Sequence, residues 1–382
     1  MLFAGGGTGG HLYPALTVAN ELRSRIPNFE ALFVGTRSGL EAKVIPDTSY
    51  PIRFIFSRGV RGRGMLGKLL NAASLSVGFC QALKVLSSFK PHLVFGSGGY
   101  ASAAVLLAAS ALGRRIVLQE QNSIPGLTNR LLAPKAERIY VGFERAQEYF
   151  GDHRGVMVTG NPLRREILDT GIENAREAFE LEEGKPVLLV FGGSQGAHSL
   201  NRVAVDYLLE DDRMQGIIQT GEKDYDWVHD ALINAKTKTY ITHFIKRINL
   251  AYRAADVAFA RAGALSISEI AAVGLPAVLV PYPYAADNHQ YYNATALVKA
   301  GGALIIEDSA LNVGSLRTAL EEMLEDPTRY KRMKKALLDV ARTDAAQRIA
   351  DDIQSMLDDG SEMKLQVRGG REEGSVGNAR EG

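Results

Sequence analysis

Residues 1–11 read MLFAGGGTGGH and residues 187–197 read VLLVFGGSQGA, so the chain twice runs from an apolar strand into a glycine-rich turn. Apolar residues at helical spacing predict a helix directly after each turn. A strand–glycine loop–helix unit directs free backbone N–H groups and a positive helix dipole at one point, which suits a phosphate. Two such units, half a chain apart, predict two Rossmann-like domains around a cleft and a nucleotide-linked substrate.

Length and composition narrow the class of protein. The 382 residues favour two domains over one. The formal net charge is only +1, so we expect no nucleic-acid partner, and the single cysteine, Cys80, allows no internal disulfide. Because no run of 18 uncharged apolar residues exists and the chain enters a strand at once, we expect neither a membrane-spanning helix nor a signal peptide. Together these features favour a cytoplasmic protein.

Strands and helices alternate along both halves of the chain, which implies parallel sheets with ligands at the carboxyl ends of the strands. In the first half, strands are predicted at residues 1–4, 29–34, 51–56, 92–95, 116–118 and 138–141. In the second half, they are predicted at residues 187–191, 216–220, 240–244, 256–260 and 277–280.

The turn sequence GNPLR, residues 160–164, is the candidate crossing between the domains. We therefore predict a first domain over residues 1–159 and a second over residues 160–340. An amphipathic helix at 341–357 is expected to pack back on the first domain. The charged, glycine-rich segment 358–382 is predicted to be disordered.

Each glycine loop also matches a motif of a different enzyme class. Gly5, Gly7 and Gly10 satisfy G-x-G-x-x-G, but a nicotinamide site needs an acidic residue at the end of the second strand, where Gly35-Thr36 stands. Residues 192–196 satisfy the G-x-S-x-G of hydrolases. In that case Ser194 would be a nucleophile with His243 or His289 as its partner, and the sequence leaves this alternative open.

Two titratable residues lie near the predicted cleft. His11 ends the first glycine loop and is a candidate base or phosphate partner, or alternatively an idle helix-start residue. Glu269 lies in the first turn or two of a predicted helix, where a carboxylate stabilises the dipole or binds a ribose diol.

Residues 58–84 interleave Arg58, Arg61, Arg63, Lys68 and Lys84 with apolar side chains. Such a segment suits an anionic membrane surface, although a core-facing helix with solvated lysines has the same pattern.

The ordered set of motifs resembles the lipid II-forming glycosyltransferase family of peptidoglycan synthesis. The matching stretches occur in the family's order over about residues 1–357. They are residues 5–11, 98–100, 120–122, 160–164, 192–197, 268–272 and 287–293. The resemblance implies a GT-B fold, two Rossmann-like domains with parallel sheets facing a central cleft. It also implies an inverting transfer of N-acetylglucosamine from UDP-N-acetylglucosamine to lipid-linked muramoyl-pentapeptide, with no metal and no cofactor. The expected location is the cytoplasmic face of the bacterial plasma membrane, on an anionic membrane surface.

The resemblance also implies site residues. For the donor, the implied roles are diphosphate binding for Ser194, Leu265 and Ser266; uracil recognition for Arg164 and Ile245; ribose binding for Glu269; sugar contact for Ala264 and Gln290; and contact across the cleft for Thr8, Gly9, Gly10 and Asn122. His11 is the implied base for the acceptor hydroxyl, with Glu120 as a competitor, and Tyr100 belongs to the acceptor side.

Some positions depart from the family pattern. Gln119 stands where the family often has histidine, and Ala262 where it has a small polar residue. The loop before Asn293 is one residue longer than in some relatives, which leaves open an exchange of roles between His289 and Gln290. A UDP-sugar epimerase of the same fold and a Ser194-dependent hydrolase are the alternative functions. Dependence of UDP release on a lipid-linked acceptor would select the transferase.

Overall fold

Two parallel sheets organise the chain, and the computed structural model describes residues 1–57, 65–169 and 174–372. The first sheet contains β1 (Leu2–Gly5), β2 (Leu32–Gly35), β3 (Ile52–Phe54), β4 (Leu93–Gly98), β5 (Arg115–Glu120), β6 (Arg138–Val141) and β7 (Val156–Val158). The second contains β8 (Val187–Phe191), β9 (Gln215–Gln219), β10 (Thr239–Thr242), β11 (Val257–Ala260), β12 (Ala277–Leu279) and β13 (Ala303–Ile305).

The strand orders are β3-β2-β1-β4-β5-β6-β7 and β10-β9-β8-β11-β12-β13. In each sheet the first strand lies near the centre. The next two strands are added on one side of it and the later strands on the other side. As a result β1 pairs with β2 and β4, and β8 pairs with β9 and β11. The switch point of such a sheet opens a crevice at the carboxyl ends of the strands. Both glycine-rich loops follow these central strands, so both lie at a switch point.

Helices cover the faces of both sheets. They are α1 (Gly9–Arg25), α2 (Glu41–Val44), α3 (Met65–Phe89), α4 (Tyr100–Ala111), α5 (Leu127–Leu132), α6 (Arg165–Leu168), α7 (His198–Glu210), α8 (Tyr225–Leu232), α9 (Ile248–Ala254), α10 (Ala264–Val273), α11 (His289–Ala300), α12 (Val313–Leu324), α13 (Pro327–Val340) and α14 (Ala345–Glu372). Because helices cover both faces, the central strands are buried throughout and read as continuous apolar runs.

Every strand predicted from the sequence is present, with its ends moved by a few residues. The sequence analysis missed β7 and β13. Each has three residues and lies at the edge of its sheet. Such a short, partly buried edge strand carries too few apolar residues to produce a periodic signal.

The last helix returns to the first domain. Ile349, Ala350 and Ile353 of α14 are fully buried in one hydrophobic cluster with Leu12 of α1. A hydrogen bond from Arg115 Nη1 to the carbonyl oxygen of Met356, 2.7 Å, fixes the helix further along. The helix continues to Glu372, whereas the sequence predicted that it ends at residue 357 and that 358–382 is disordered. Residues 373–382 lie outside the described part.

One stretch of α3, Ala72–Phe89, is long and apolar enough to cross a membrane by length and composition, with a mean hydropathy of 1.2. The sequence analysis had expected no such helix, because it required a run without charges and this stretch contains Lys84. Ala82 and Leu86 are fully buried against the first sheet, so one face of the helix packs on protein. Only 22% of the stretch is buried.

The carboxyl edges of the two sheets face each other. Residues that follow strands of the first sheet contact residues in the second turn of helices of the second domain. Asn122 and Ser123 hydrogen-bond to Asn293 of α11, and Asn161 hydrogen-bonds to Ser268 of α10. The two domains therefore enclose a cleft, as the sequence analysis predicted.

Candidate functional site

His11 lies in the first turn of α1, on the first-domain side of the cleft. Its Nδ1 atom lies 2.7 Å from the carbonyl oxygen of Ser97, and the Ser97 hydroxyl donates to the carbonyl oxygen of His11, also at 2.7 Å. A carbonyl oxygen can only accept, so Nδ1 carries the proton. In the neutral tautomer with this hydrogen bond, Nε2 carries the lone pair and is the nitrogen that can accept a proton.

Close packing of two glycines fixes the ring of His11. A Cβ atom on Gly98 would lie 2.9 Å from the imidazole, and one on Gly99 would lie 2.8 Å from the carbonyl oxygen of Gly6. Both glycines also have positive φ, +98° and +87°. The turn after β4 therefore needs glycine at both places to bring its backbone against the first loop.

The first glycine loop does not offer all of its N–H groups to a ligand, which corrects the expectation of a phosphate seat there. The N–H of Gly7 donates to Oε2 of Glu41 at 2.7 Å, and Glu41 is only 1% exposed. A carboxylate of the protein itself therefore occupies this loop. No local sequence pattern links residues 7 and 41.

The second glycine loop is open. Ser194 is exposed, and a Cβ atom on Gly193 would meet nothing within 4 Å. The side-chain arrangement that the alternative hydrolase would need is not formed: His243 stacks on Tyr225, and His289 uses Nδ1 for the carbonyl oxygen of Ala286. Within the described residues, neither histidine hydrogen-bonds to Ser194 or to a carboxylate.

The N-terminus of α10 points into the same part of the cleft. Gly263 is its N-cap residue in extended conformation, with no side chain capping the first turn. The N–H groups of Ala264, Leu265 and Ser266 therefore have no partner within the helix. Together with the helix dipole they form an anion-binding end.

Arg164 and Glu269 are ion-paired to each other beside this helix end. Arg164 Nη2 lies 3.3 Å from Glu269 Oε1, and the hydroxyl of Tyr252 donates to Oε2 at 2.9 Å. Burial raises the pKa of the Glu269 carboxyl, while Arg164 acts against that increase. The guanidinium of Arg164 also stacks on the ring of Tyr13 from α1, 4.7 Å from its centroid, so the pair touches both domains.

The backbone of Ile245 is only partly free. Its N–H donates to Oε1 of Gln219 at 2.9 Å, which leaves the carbonyl oxygen as the group that a base can address. Gln219 ends β9 and is itself buried. Recognition of a uracil through Ile245 would therefore use a donor on the base, such as its N3–H.

Glu120 is tied into its own loop. Its Oε1 accepts from the N–H of Asn122 at 2.9 Å, and its Oε2 accepts from Gly126 N–H and Asn129 Nδ2, both at 2.9 Å. The side chain is 2% exposed. This geometry holds the loop after β5 in shape and presents no free oxygen to a substrate.

Asn293 bridges the domains from α11. Its Oδ1 accepts from Ser123 N–H at 2.8 Å, and its Nδ2 donates to Oδ1 of Asn122 and to the carbonyl oxygen of Ala262, both at 3.2 Å. The residue is fully buried. At the rim, Arg130 pairs with Asp287 at 2.5 Å. These contacts join the two domains across the cleft.

The remaining predicted residues lie at the starts of helices. Thr8 is the exposed N-cap residue of α1 and is followed by Gly9 and Gly10 in the first turn. Gln290 uses Oε1 for the N–H of Tyr282 at 2.9 Å, which leaves its Nε2 without a partner in the described residues. Tyr100 begins α4 and is 67% exposed.

Three residues that shape the site were not predicted from the sequence: Glu41, Tyr252 and Asn293. Asn293 is the last residue of the stretch 287–293 that matches the family pattern, so this match could have identified it. Tyr252 and Glu41 act through contacts with residues far along the chain, and no local pattern marks them. The described residues contain no cluster of three or more His, Cys, Asp or Glu with metal-binding geometry.

Comparison with known proteins gives a consistent result. The family model "Glycosyltransferase family 28 N-terminal domain" matches residues 1–141, and "Glycosyltransferase family 28 C-terminal domain" matches residues 187–349. A relative from Geobacter metallireducens is 42% identical over 362 residues, covering 92% of this chain and 97% of its own length. That relative is named UDP-N-acetylglucosamine--N-acetylmuramyl-(pentapeptide) pyrophosphoryl-undecaprenol N-acetylglucosamine transferase.

Solved structures agree with the fold. The crystal structure of Acinetobacter baumannii MurG superposes with a TM-score of 0.72 and 28% identity, covering 93% of this chain and 99% of that one. A putative UDP-N-acetylglucosamine 2-epimerase from Listeria monocytogenes has a TM-score of 0.69 at 15% identity, covering 94% of this chain and 96% of that one, which shows the fold alone.

Proposed function

This chain belongs to glycosyltransferase family 28, and from that membership we propose how its cleft performs the transfer. It has the GT-B fold and is a UDP-N-acetylglucosamine-dependent glycosyltransferase of peptidoglycan biosynthesis. It moves N-acetylglucosamine onto lipid-linked muramoyl-pentapeptide and so converts lipid I into lipid II. The epimerase alternative is not favoured, because the relatives at about 40% identity are transferases.

The second domain, residues 160–340, binds the donor. The diphosphate lies against the N-terminus of α10, where it accepts from the N–H groups of Leu265 and Ser266, while the exposed Ser194 donates from the second glycine loop. Negative charge grows on the diphosphate as the sugar leaves, and fixed N–H groups and a helix dipole stabilise that charge without rearranging. No metal or cofactor takes part, so excess chelator is expected to leave the rate unchanged.

Arg164, Glu269 and Ile245 recognise the nucleoside. Glu269 Oε1 and Oε2 each hold one partner, and a carboxylate oxygen accepts two hydrogen bonds, so the ribose diol can still donate to it. The carbonyl oxygen of Ile245 accepts from the uracil N3–H. Arg164 stacks or donates at the base edge while its pairing with Glu269 holds it in place.

The sugar lies between the domains. Ala264 and the free Nε2 of Gln290 contact it from the second domain. Thr8, Gly9, Gly10 and Asn122 contact the donor from the first domain. Because Asn293 hydrogen-bonds to Asn122, the closed cleft aligns these two sets of groups.

His11 is the general base. Its Nε2 takes the proton from the acceptor hydroxyl as that oxygen attacks the anomeric carbon from the face opposite UDP. The new glycosidic bond forms as the bond to the diphosphate breaks, so the configuration inverts and UDP leaves. A positioned base of this kind contributes about 10²–10⁴-fold. Glu120 does not compete, because four backbone and side-chain N–H groups engage its oxygens, two on each.

The first domain, residues 1–159, binds the acceptor and approaches the membrane. Tyr100, exposed at the start of α4, contacts the acceptor. Phe56, Leu75 and Val77 are 49%, 36% and 47% exposed on the side of the domain where α3 lies. An apolar surface of this kind suits peripheral contact with an anionic bilayer at the cytoplasmic face of the plasma membrane.

Of the five basic residues predicted to assist membrane contact, Arg58, Arg61 and Arg63 lie outside the described residues, whereas Lys68 and Lys84 belong to α3. Sedimentation with anionic vesicles tests the proposal: Leu75→Asp with Val77→Asp should release the protein. The control Leu209→Asp, which changes an exposed leucine on the second domain, should not. Retention of the double variant on the vesicles would contradict the proposed membrane surface.

The pairing of His11 Nδ1 with the Ser97 carbonyl, across a closed cleft from the open end of α10, is the observation that carries the proposed mechanism. The test is incubation with UDP-N-acetylglucosamine with and without a lipid-linked muramoyl-pentapeptide, followed by measurement of released UDP. Release that requires the acceptor supports transfer. Release of UDP without the acceptor, or loss of UDP release on treatment with serine-directed inhibitors, would indicate a hydrolase.

A further inference from the structure

The carboxylate of Glu41 is buried inside the first glycine loop. Its Oε2 accepts from Gly7 N–H at 2.7 Å, and its Oε1 accepts from the N–H of Thr36 at 2.7 Å and from the Thr36 hydroxyl at 3.1 Å. Among its contacts in the described part of the chain there is no cation. Burial of a charge is costly unless hydrogen bonds replace its water shell, so this arrangement must be specified by its surroundings.

Three glycines make the space that this carboxylate fills. A Cβ atom added to Gly6, Gly35 or Gly39 would lie 2.4, 2.2 or 2.2 Å from an atom of the Glu41 side chain. Such distances are shorter than any real contact, so no other residue fits at these positions without displacing the carboxylate. The backbone therefore surrounds it as it would surround a bound anion.

The second glycine loop lacks this feature. There the corresponding turn carries the exposed Ser194, and the space beside Gly193 is open. A glycine loop before a helix N-terminus attracts one anion, and a second anion is repelled at such short range. Because Glu41 already fills the first loop, the open second loop is the one that can take the phosphates of the donor.

The contact between Glu41 and the first glycine loop also positions His11. The loop of Gly6 and Gly7 leads directly to Thr8, whose carbonyl oxygen accepts from the N–H of His11 at 3.2 Å. On its other side the Gly6 carbonyl packs against the turn at Gly99. The loop is thus held between Glu41 and that turn, and a shift of the loop moves the imidazole.

We propose that the buried carboxylate of Glu41 is an internal anion that takes the place of a bound phosphate at the first glycine loop. It excludes the donor diphosphate from that loop and is a positioning residue for His11. This inference rests on the proposed role of His11 as base, but the presence of the anion site does not.

Replacement of the carboxylate tests the proposal. Glu41→Ala should lower kcat by about 10- to 100-fold, because a misplacement near 1 Å has such an effect, while UDP affinity measured by calorimetry stays within about twofold of the wild type. Acetate, which restores a carboxylate to the vacated space, should recover most of the activity. Glu41→Gln keeps the volume but turns an amide N–H₂ toward Gly7 or Thr36, so it should lose activity and gain nothing from acetate.

A second measurement does not depend on turnover. Acetate should raise the melting temperature of Glu41→Ala, because a ligand that binds only the folded state stabilises it. Wild type and Glu148→Ala, in which an exposed carboxylate of the same domain is removed, should show no shift beyond that of sodium chloride at equal ionic strength.

Three outcomes would overturn the inference: wild-type turnover in Glu41→Gln, wild-type turnover in Glu41→Ala, or the absence of both rescue and thermal shift with acetate. Should wild type itself release no UDP with the acceptor, the proposed function fails. In that event the acetate-dependent melting shift still decides whether the internal anion site exists.

Discussion

Removal of the Asn293 side chain should separate catalysis from donor binding. This residue joins the domains through three hydrogen bonds, at 2.8, 3.2 and 3.2 Å, and is fully buried. In Asn293→Ala the N–H of Ser123 and the amide of Asn122 lose their partners. Each buried hydrogen bond contributes about 1 kcal/mol net, and leaving a buried donor unpaired costs about 1–3 kcal/mol.

The free energy lost with these hydrogen bonds weakens the contact between the domains, because two of the three bonds cross the cleft. A loss of about 1.4–3 kcal/mol corresponds to a decrease of about 10- to 150-fold in kcat/KM. UDP alone binds the second domain, so its affinity should change by less than about threefold, since Asn293 contacts none of the second-domain groups proposed to hold UDP. Steady-state assay of UDP release and calorimetry with UDP measure the two quantities.

Asn234→Ala is the matched control, since that asparagine is exposed on the second domain; both quantities should remain at wild-type values. Turnover of a folded Asn293→Ala within twofold of the wild type would refute the reasoning, because the bridge would then contribute nothing to the reactive geometry. A parallel loss of UDP affinity would also refute it, since the effect would then belong to the donor site.

Further variants test other parts of the structure. His11→Ala should lower kcat by about 10²–10⁴-fold with little change in UDP affinity; unchanged kcat would remove His11 from the mechanism. Asp352→Ala should cost about 1–3 kcal/mol in urea unfolding, because the buried Tyr140 hydroxyl loses its acceptor at 2.8 Å. The same change in a Tyr140→Phe background should cost less, and an equal cost would contradict this account. The hydrogen bond from Arg213 lowers the pKa of Asp211 from 3.8 to about 2. The unfolding free energy should therefore fall as the pH decreases from about 4 to about 2, and less so in Asp211→Asn, as denaturant titrations at each pH would show.

Much of the site follows from local sequence. The strand–glycine–helix units placed Ser194 and His11 at strand ends, and the carboxyl-edge rule for parallel sheets put them in one cleft. The helix N-terminus at Ala264 was visible as a strand followed by a glycine and an apolar helix. These features depend on short-range backbone conformation, which a few consecutive residues specify.

The functional difference between the two glycine loops could not be predicted. The sequence treated both as phosphate seats, whereas Glu41 fills the first from a helix 34 residues along the chain. The same holds for Glu120, which the family resemblance implied as an alternative base and whose oxygens accept hydrogen bonds from its own loop in the structure.

By itself the sequence determined the parallel sheets, the strand–loop–helix units and the residue types at the cleft, since each arises from contacts between near neighbours in the chain. Only the tertiary structure decided which polar groups remain free: Gly7 N–H and Ile245 N–H are taken, while the N–H groups at the start of α10 are open. Hydrogen-bond partners of that kind are distant along the chain. Whether a group is available to a substrate therefore depends on how the chain folds back on itself, and no local pattern records it.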